Sequence, residues 1–336
     1  MCTSIPQKKR HYLQSDFPLG LRNTLTCALL VGNLFLTEKA HAWGFAAHRK
    51  VIDLSIQLLP PSVHPFFKIH RDWLVEHALD ADLRKHSLLG ESERHFIDLD
   101  LYLEEITWKE IQALNWMEAK EIWGEATLRQ QGIGPWHVMH AYTQLILAFE
   151  EDNQAAILRQ SVDLAHYVSD LHVPLHTTSN YDGQQTGQDG IHAFWETQLP
   201  EFLMLKGLEI SPHHQVVQSH DFIPDPSTWI WKIVESSHAE LELIFHVESE
   251  VRGMLNPSEI YAYVERGRTR QKMRSNAFVE QSLLRLDHQV ENRLYASAHA
   301  VASIWYSAWI AAGQPNLNVS KKNQSIFKAC IDWIIR

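Results

Sequence analysis

The residues that decide the fold are 166–176, HYVSDLHVPLH, and 190–196, GIHAFWE. His166 and Asp170 are four positions apart, a spacing that places both side chains on one face of an α-helix. The pattern predicts a helix that ends at Pro174, because the residue before a proline disfavours the helical conformation. An imidazole and a carboxylate therefore share the last turns of this helix.

The same four-residue spacing recurs in His192 and Glu196, at the start of another predicted helix. Between the two pairs, His176 is followed by residues 177–191, which are rich in Gly, Asn, Asp and Thr and predict an irregular loop. Imidazole and carboxylate groups are the ligands expected of hydrolytic zinc sites. One such pair alone is typical of a surface pair or a satisfied core histidine. Two pairs that flank a third histidine and a loop predict a metal site.

Helical periodicity dominates the rest of the chain, and no stretch has a convincing strand alternation. The predicted helices cover residues 46–59, 116–131, 135–151, 154–173, 193–205, 226–247 and 282–312. No internal repeat or interdomain linker interrupts this pattern, so we predict a single all-α domain. The five basic residues of 266–274, RGRTRQKMR, are interpreted as a solvated helix face and as the first place to look for contact with nucleic acid.

The composition excludes several classes of protein. The 336 residues include 21 histidines but only 3 cysteines, which excludes a disulfide scaffold and a multi-cysteine zinc or iron–sulfur site. The hydrophobic fraction of 45% is ordinary for a globular protein and excludes a disordered chain. The net charge of −10 argues against a protein that binds duplex DNA, which would present a basic face.

Residues 1–42 are predicted to be a signal peptide. Four basic residues precede an uncharged and mostly apolar run over residues 25–36, LTCALLVGNLFL, which is too short to span a bilayer. The tripeptide AHA at 40–42 matches the small-x-small rule for cleavage, which would make Trp43 the new N-terminus. An uncleaved membrane anchor is the alternative. Cleavage predicts a secreted or periplasmic protein with a net charge of −13 and Cys330 as its one cysteine, so the core or bound metal must stabilise it.

Two further clusters lie upstream of the metal pattern. His48 follows Trp43 by five residues, and the α-amino group of a new N-terminus can bind metal because its pKa is about 7.7–8.0. Asp80 and Asp82 form an acidic pair, and His95 adds another histidine. By spacing alone, either aspartate could be a ligand.

The ordered set of these residues resembles the zinc-dependent phospholipase C superfamily, which also contains the single-strand-specific nucleases of fungi and plants. The strongest matches are the segments WGFAAH, RHFIDLD, HYVSDLHVPLH and GIHAFWE, and AVASIWYSAWIAAG is similar to the family's last helix. The resemblance spans residues 43–313. The ligand-type residues that occur in the family's order are Trp43, His48, Asp82, His95, His166, Asp170, His176, His192 and Glu196.

The resemblance implies an all-α phosphoesterase domain over residues 43–313 that holds three Zn²⁺ ions, followed by a C-terminal tail over residues 314–336. It implies that one zinc ion is held by Asp82, His95, His166 and Asp170, a second by His176, His192 and Glu196, and a third by the amino group and carbonyl of Trp43, by His48 and by Asp170 as a bridge. The family's aspartate follows a small residue, so Asp82 is preferred to Asp80. The resemblance also gives Asp82 a catalytic role, in which it orients or deprotonates the attacking water.

Departures from the nuclease pattern bear on the substrate. The loop SNYDGQQTGQDG, residues 179–190, replaces the D-x-G-G-N stretch of the nucleases, and Glu196 stands where they use aspartate. We therefore predict a phospholipase C-like phosphodiesterase that uses zinc-activated water. Its partners would be a phosphate ester, either a phospholipid headgroup or single-stranded nucleic acid, and in transient contact a membrane surface, with no stable protein partner. The alternatives are a single-strand-specific nuclease and a non-catalytic, zinc-stabilised protein.

Overall fold

The structure, a computed structural model, describes residues 44–207, 221–266 and 269–317. These residues belong to one compact unit, Ala40–Arg336. The predicted signal peptide, the predicted ligand Trp43 and the tail from residue 318 onward lie outside the described residues. Within the described ranges, no helix combines the length and the apolar character needed to cross a membrane.

The described residues are mostly helical, which confirms the all-α prediction at the level of fold class. The α-helices, in chain order α1 to α17, are Phe45–Leu58, His64–Ile69, Arg71–Glu76, Asp80–Arg84, Leu99–Leu103, Trp108–Ala113, Trp116–Trp123, Glu125–Gln130, Gly134–Glu150, Gln154–Asp170, Ile191–Ala193, Leu199–Leu205, Pro226–His238, Leu241–Met254, Pro257–Ile260, Asn276–Arg285 and Gln289–Ala311. Short 3₁₀ turns cover Ser92–Arg94 and Pro174–Thr177, and a π-helical turn covers Phe194–Gln198.

The longest helices form the centre of the protein. Helices α9 and α10 pack against each other, and α17 packs against both of them and against α1. The tight connection from α9 to α10 is capped by Asn153, whose Oδ1 accepts a hydrogen bond from the backbone N–H of Ala156 at 3.1 Å. In the core, the indole of Trp305 on α17 stacks on Phe67 with ring centroids 4.6 Å apart. This packing fixes the C-terminal end of α10, which carries His166 and Asp170.

Three of the predicted long helices are each broken into two. Gly124 separates α7 from α8 with a φ of 78°, a left-handed value that glycine adopts without steric cost. The chain turns between α13 and α14, where the N–H of Glu240 donates to the carbonyl of Ser237 at 3.1 Å. His288, with a φ of 63°, separates α16 from α17. Periodicity continues across such one-turn breaks, so the sequence pattern did not reveal them.

The described residues also include a β-hairpin, which the sequence analysis did not predict. Strand β1, Tyr261–Arg266, pairs antiparallel with strand β2, Thr269–Arg274, and Tyr261 lies opposite Arg274. The prediction of a solvated helix face over residues 266–274 was therefore wrong. In β2, basic residues alternate with polar or apolar ones. The usual sign of a strand is an alternation of apolar with polar residues, so the pattern did not reveal this one.

Candidate metal centre

Eight of the nine residues predicted as metal ligands lie in the described part of the chain, and all eight are buried. His48 lies on α1, Asp82 on α4 and His95 in the segment after the first 3₁₀ turn. His166 and Asp170 lie at the end of α10, His176 on the second 3₁₀ turn, His192 on α11 and Glu196 on the π-helical turn. The structure brings them together in three groups that could each hold a metal ion: His48 with His166 and Asp170; Asp82 with His95 and His166; and His176 with His192 and Glu196.

Asp170 lies at the centre of the first two groups. Its Oδ1 is 3.3 Å from Nε2 of His48, and its Oδ2 is 2.6 Å from Nδ1 of His95 and 3.4 Å from Nε2 of His166. The two oxygens of one carboxylate thus point to different histidines. This arrangement suits a carboxylate that bridges two cations, the role that the resemblance implies for Asp170.

Asp82 approaches the same ring nitrogen of His166 as Asp170 does. Its Oδ1 is 3.5 Å from Nε2 of His166 and 3.9 Å from Nδ1 of His95, and it accepts a hydrogen bond from Nζ of Lys85 at 2.8 Å. The side chain of Asp80 is 42% exposed and lies 2.8 Å from Nδ1 of His77, outside the three groups. The geometry therefore favours Asp82 over Asp80 as the ligand.

The third group is formed by His176, His192 and Glu196. The Oε2 atom of Glu196 is 3.0 Å from Nε2 of His192 and 3.5 Å from Nε2 of His176, and the two Nε2 atoms are 3.2 Å apart. Three nitrogen and oxygen atoms thus converge on one point. A three-ligand set of this kind leaves a coordination position for a substrate or water.

The turn that carries Glu196 is wider than an α-helix. A π-helical turn, with i→i+5 hydrogen bonds, is rare and is frequently found at functional sites. The chain entering α1 lies against this turn: the N–H of Gly44 donates to the carbonyl of Glu196 at 3.0 Å, and a Cβ on Gly44 would approach Thr197 to 2.7 Å. The beginning of the described chain is thus held beside the ligand groups, and a larger residue at Gly44 would push it away.

In four of the histidines, the ring nitrogen Nδ1 contacts an oxygen atom of the protein. Nδ1 of His166, His176 and His192 lies 2.9, 2.7 and 3.1 Å from the carbonyls of Ala78, His95 and Tyr181, and Nδ1 of His48 lies 3.1 Å from Oγ of Ser169. A carbonyl can only accept, so Nδ1 must carry the proton in the first three. Nε2 is then the nitrogen of each ring that can bind a metal once it has lost its proton, and the protein fixes the ring orientation.

Unpaired buried atoms provide a test of whether this site fits a metal. Among the described residues, five buried atoms that belong to the three groups have no hydrogen-bond partner: Nε2 of His48 and His166, Oδ2 of Asp82, Oδ1 of Asp170 and Oε1 of Glu196. Each unsatisfied buried polar group costs about 1–3 kcal/mol. Several such groups gathered at one place are explained by a bound cation, which would satisfy nitrogen and oxygen lone pairs together.

The charge states of the buried side chains also favour a bound cation. Burial alone would lower the pKa of His166, but the negative charges of Asp170 and Asp82 raise that pKa to about 9. Burial alone would raise the pKa of both aspartates, but the positive charge of His166 holds each of them well below its usual range. Two ionised carboxylates in a buried site therefore stabilise a cation between them.

A buried network behind His95 escaped the sequence analysis. The carboxylate of Glu91 accepts hydrogen bonds from the hydroxyl of Tyr167 at 2.5 Å and from the guanidinium of Arg94 at 2.6 Å. Its Oε1 is 3.9 Å from Nε2 of His95, on the side of the ring that faces away from Asp170. Glu91 precedes His95 by four residues, the spacing that identified the other pairs, but no helical pattern surrounds it to make the spacing informative.

Hydrogen bonds to Asp100 on α5 hold the loop between His176 and His192 in place. The N–H and hydroxyl of Ser179 donate to the carboxylate of Asp100 at 2.9 and 2.7 Å. The ring of Tyr181, which is 50% exposed, lies edge-on to His192 with centroids 6.0 Å apart. An exposed aromatic side chain thus stands at the rim of the third group.

Comparison with known protein families finds no match for this chain, and comparison with curated proteins finds no relative. The resemblance drawn from the sequence is therefore carried by the ligand pattern alone.

Proposed function

We propose that this protein is a zinc-dependent phosphodiesterase of the phospholipase C-like type. The observation that supports the proposal most strongly is the convergence of three buried His and carboxylate groups, two of which share His166. Histidine nitrogen and carboxylate oxygen are typical ligands of hydrolytic zinc, and neighbouring ions that share ligands are typical of enzymes that cleave phosphate esters.

A catalytic role suits the ligand set better than a purely structural one. Structural zinc is normally closed by four protein ligands, mostly cysteine and histidine. The group of His176, His192 and Glu196 offers three atoms and no cysteine. The remaining position would be open to water or to a phosphoryl oxygen.

When bound, the zinc ions would supply polarisation of the phosphoryl oxygens and a lowered pKa for the attacking water. Asp82 then has the task of orienting that water. Its Oδ1 is held by Lys85, whereas Oδ2 has no hydrogen-bond partner among the described residues and is available to accept one from water. Because the pKa of Asp82 is held far below its usual range, this carboxylate acts by fixing the direction of the water rather than by keeping the proton.

The same ligand set would serve a single-strand-specific nuclease, so the substrate must be tested directly. The zinc-loaded chain that begins at Trp43 is incubated with phosphatidylcholine and, separately, with single-stranded DNA. Release of phosphocholine is the expected result. Cleavage of DNA alone would assign the nuclease function instead. A fully zinc-loaded protein that cleaves neither would favour the zinc-stabilised, non-catalytic alternative.

A matched pair of variants separates the catalytic role of Asp82 from the charge of its helix. We expect Asp82→Asn to lower kcat by about 10²-fold, the loss that misplacement of a reacting group by about 1 Å can cause. Asp80→Asn, two residues earlier and outside the three groups, should leave kcat within about twofold. Equal losses in both variants would contradict the assignment.

A further inference from the structure

The β-hairpin carries aromatic and basic side chains on one face. On this face the register pairs Tyr261 with Arg274, Tyr263 with Lys272 and Glu265 with Arg270, so one carboxylate stands beside the cations. The guanidinium of Arg270 lies 4.7 Å from the ring centroid of Tyr263, and Nζ of Lys272 lies 3.8 Å from that of Tyr261. Two exposed cations thus lie over two tyrosine rings, which is the geometry of a cation–π pair.

The opposite face of the hairpin is apolar in character. Val264 lies on it with 42% of its surface exposed, and Ala262 pairs there with Met273. On the basic face, Tyr263 is 60% exposed. The two strands therefore present apolar and aromatic surface to solvent together with cations, which distinguishes them from an ordinary solvated hairpin.

The base of the hairpin is attached to the segments that carry the third metal group. The backbone N–H of Arg274 donates to Oε1 of Gln198 at 3.2 Å, and its carbonyl accepts from Nε2 of Gln198 at 2.5 Å. The buried guanidinium of Arg274 donates to Glu248 at 2.7 Å and to the carbonyl of Asp189 at 3.4 Å. Gln198 is two residues from Glu196, and Asp189 is three residues from His192. The hairpin is thus fixed to the walls of the candidate site.

The charge of the hairpin is opposite to that of the whole chain. Residues 261–274 contain five basic residues and one acidic residue, whereas the chain has a net charge of −10. A local concentration of positive charge on an acidic protein selects an anionic surface as its partner. Because this positive charge is anchored beside the candidate site, such a partner would be brought to that site.

The arrangement of the side chains favours an anionic lipid surface over a nucleic-acid strand. Single-stranded nucleic acids stack their bases on exposed aromatic rings, but here Arg270 and Lys272 already cover one side of each tyrosine ring. In the headgroup region of a bilayer, by contrast, Arg270 and Lys272 meet lipid phosphates while Tyr263 beside them reaches the apolar boundary.

We propose that the hairpin formed by strands Tyr261–Arg266 and Thr269–Arg274 docks the protein on membranes that contain anionic phospholipids. Arg270 and Lys272 bind the headgroups, and Tyr263, on the same face, enters the layer beneath them. The docking goes beyond the proposed hydrolysis and does not depend on it, since binding can occur without turnover.

The test measures binding of the full zinc-loaded protein to vesicles by flotation. Phosphatidylcholine vesicles containing phosphatidylserine are compared with vesicles of phosphatidylcholine alone, at low and high salt. We expect binding to the anionic vesicles only, weakened by salt. Each basic residue near an anionic surface contributes about 1 kcal/mol, so the double variant Arg270→Gln/Lys272→Gln should weaken this binding about 30-fold.

A control variant removes the same charge elsewhere. Lys109 and Arg159 are both exposed and lie outside the hairpin, so Lys109→Gln/Arg159→Gln should bind the anionic vesicles like the unaltered protein. A second variant, Tyr263→Ser, keeps the charge and removes the exposed ring of the basic face, and it should weaken binding severalfold. Hydrolysis of a short-chain phosphatidylcholine below its micelle concentration should be the same in all variants, which separates docking from catalysis.

Several outcomes would overturn the docking proposal. Equal binding of anionic and neutral vesicles would do so, as would equal losses in the hairpin and control double variants. Tight binding of single-stranded DNA that is lost in Arg270→Gln/Lys272→Gln, with vesicle binding unchanged, would assign the surface to nucleic acid. Failure to hydrolyse any phosphodiester would refute the proposed function but would leave the binding result intact.

Discussion

The Nδ1 atom of His95 lies 2.6 Å from Oδ2 of Asp170, although the two residues are 75 positions apart in the chain. This contact joins the segment after the first 3₁₀ turn to the end of α10. It also makes Asp170 common to the side chains of His48, His95 and His166. One carboxylate is therefore placed to serve more than one of the candidate metal groups.

Asp170→Asn should therefore remove more metal than a change in the third group. If Asp170 bridges two ions, its replacement by the neutral amide weakens both, and the protein should retain about one zinc per chain. Glu196→Gln should remove only the ion of the third group and leave about two. Elemental analysis after dialysis measures both values, and His246→Ala, at an exposed histidine outside the groups, is the control that should keep all three. A loss of one ion in each variant would show that Asp170 does not bridge.

Two glycines in the loop before His192 allow a matched comparison of alanine variants. Gly183 and Gly187 have φ values of 74° and 72°, so alanine at either position is strained by about 1–2 kcal/mol. At Gly183 a Cβ would also lie 2.6 Å from the carbonyl oxygen of Gln188, whereas at Gly187 it would meet open space. Gly183→Ala should therefore shift the loop and lower zinc affinity at the third group at least tenfold. Gly187→Ala should lower stability slightly and leave zinc affinity unchanged, and equal affinities in the two variants would contradict this account of the loop.

The pH dependence of stability should reflect Asp98. Burial and the neighbouring negative charge of Asp100 raise the pKa of Asp98 to about 7. In the unfolded chain this group ionises near pH 4, so between about pH 4 and 7 the unfolded state binds fewer protons than the folded state. The free energy of unfolding contributed by this group thus falls as pH rises through that window and is constant above it.

Asp98→Asn removes the ionisation and should therefore stabilise the protein above pH 7. We expect a gain of about 2 kcal/mol at pH 8, reduced from the full shift because the side chain is partly exposed to solvent. The gain should shrink as the pH is lowered to 5. Urea unfolding over this pH range measures it, and Asp72→Asn, at a side chain that is 97% exposed, should give no such trend. A variant that is less stable than the unaltered protein at pH 8 would refute the prediction.

The predicted third zinc ion depends on a free amino group at Trp43. A chain that begins at Trp43 should bind three zinc ions, and the same chain with one glycine placed before Trp43 should bind two. The group of His176, His192 and Glu196 should be unaffected in both, because none of its atoms comes from the N-terminus. Elemental analysis of the two proteins, with the N-terminus of each verified by mass spectrometry, decides between them. Three ions in the extended chain would show that the amino group is not a ligand.

The sequence predicted the metal centre where its ligands are close together along the chain. His166 with Asp170, and His192 with Glu196, are each four residues apart, so helical periodicity alone places each pair on one face. The meeting of His95 with Asp170 depends on the packing of distant segments, which spacing cannot reveal. Only the ordered resemblance to a known ligand pattern linked them in advance.

Other parts of the fold depend on tertiary interactions, which the pattern of a single sequence does not show. The π-helical turn around Glu196 replaces an expected α-helical turn, and the distant residue Gly44 packs against it. The hairpin was missed because cations alternate along β2 instead of apolar residues. Glu91 was missed because its partners Arg94 and Tyr167 are brought to it by tertiary packing.

The most direct test of the central claim is anomalous diffraction at the zinc absorption edge from crystals of the chain that begins at Trp43. The account predicts three anomalous peaks. One lies within about 2.0–2.3 Å of ligand atoms of His176, His192 and Glu196, and the other two lie on opposite sides of the Asp170 carboxylate. No peak between these side chains, in crystals grown with zinc, would contradict the assignment of this cluster as a metal centre.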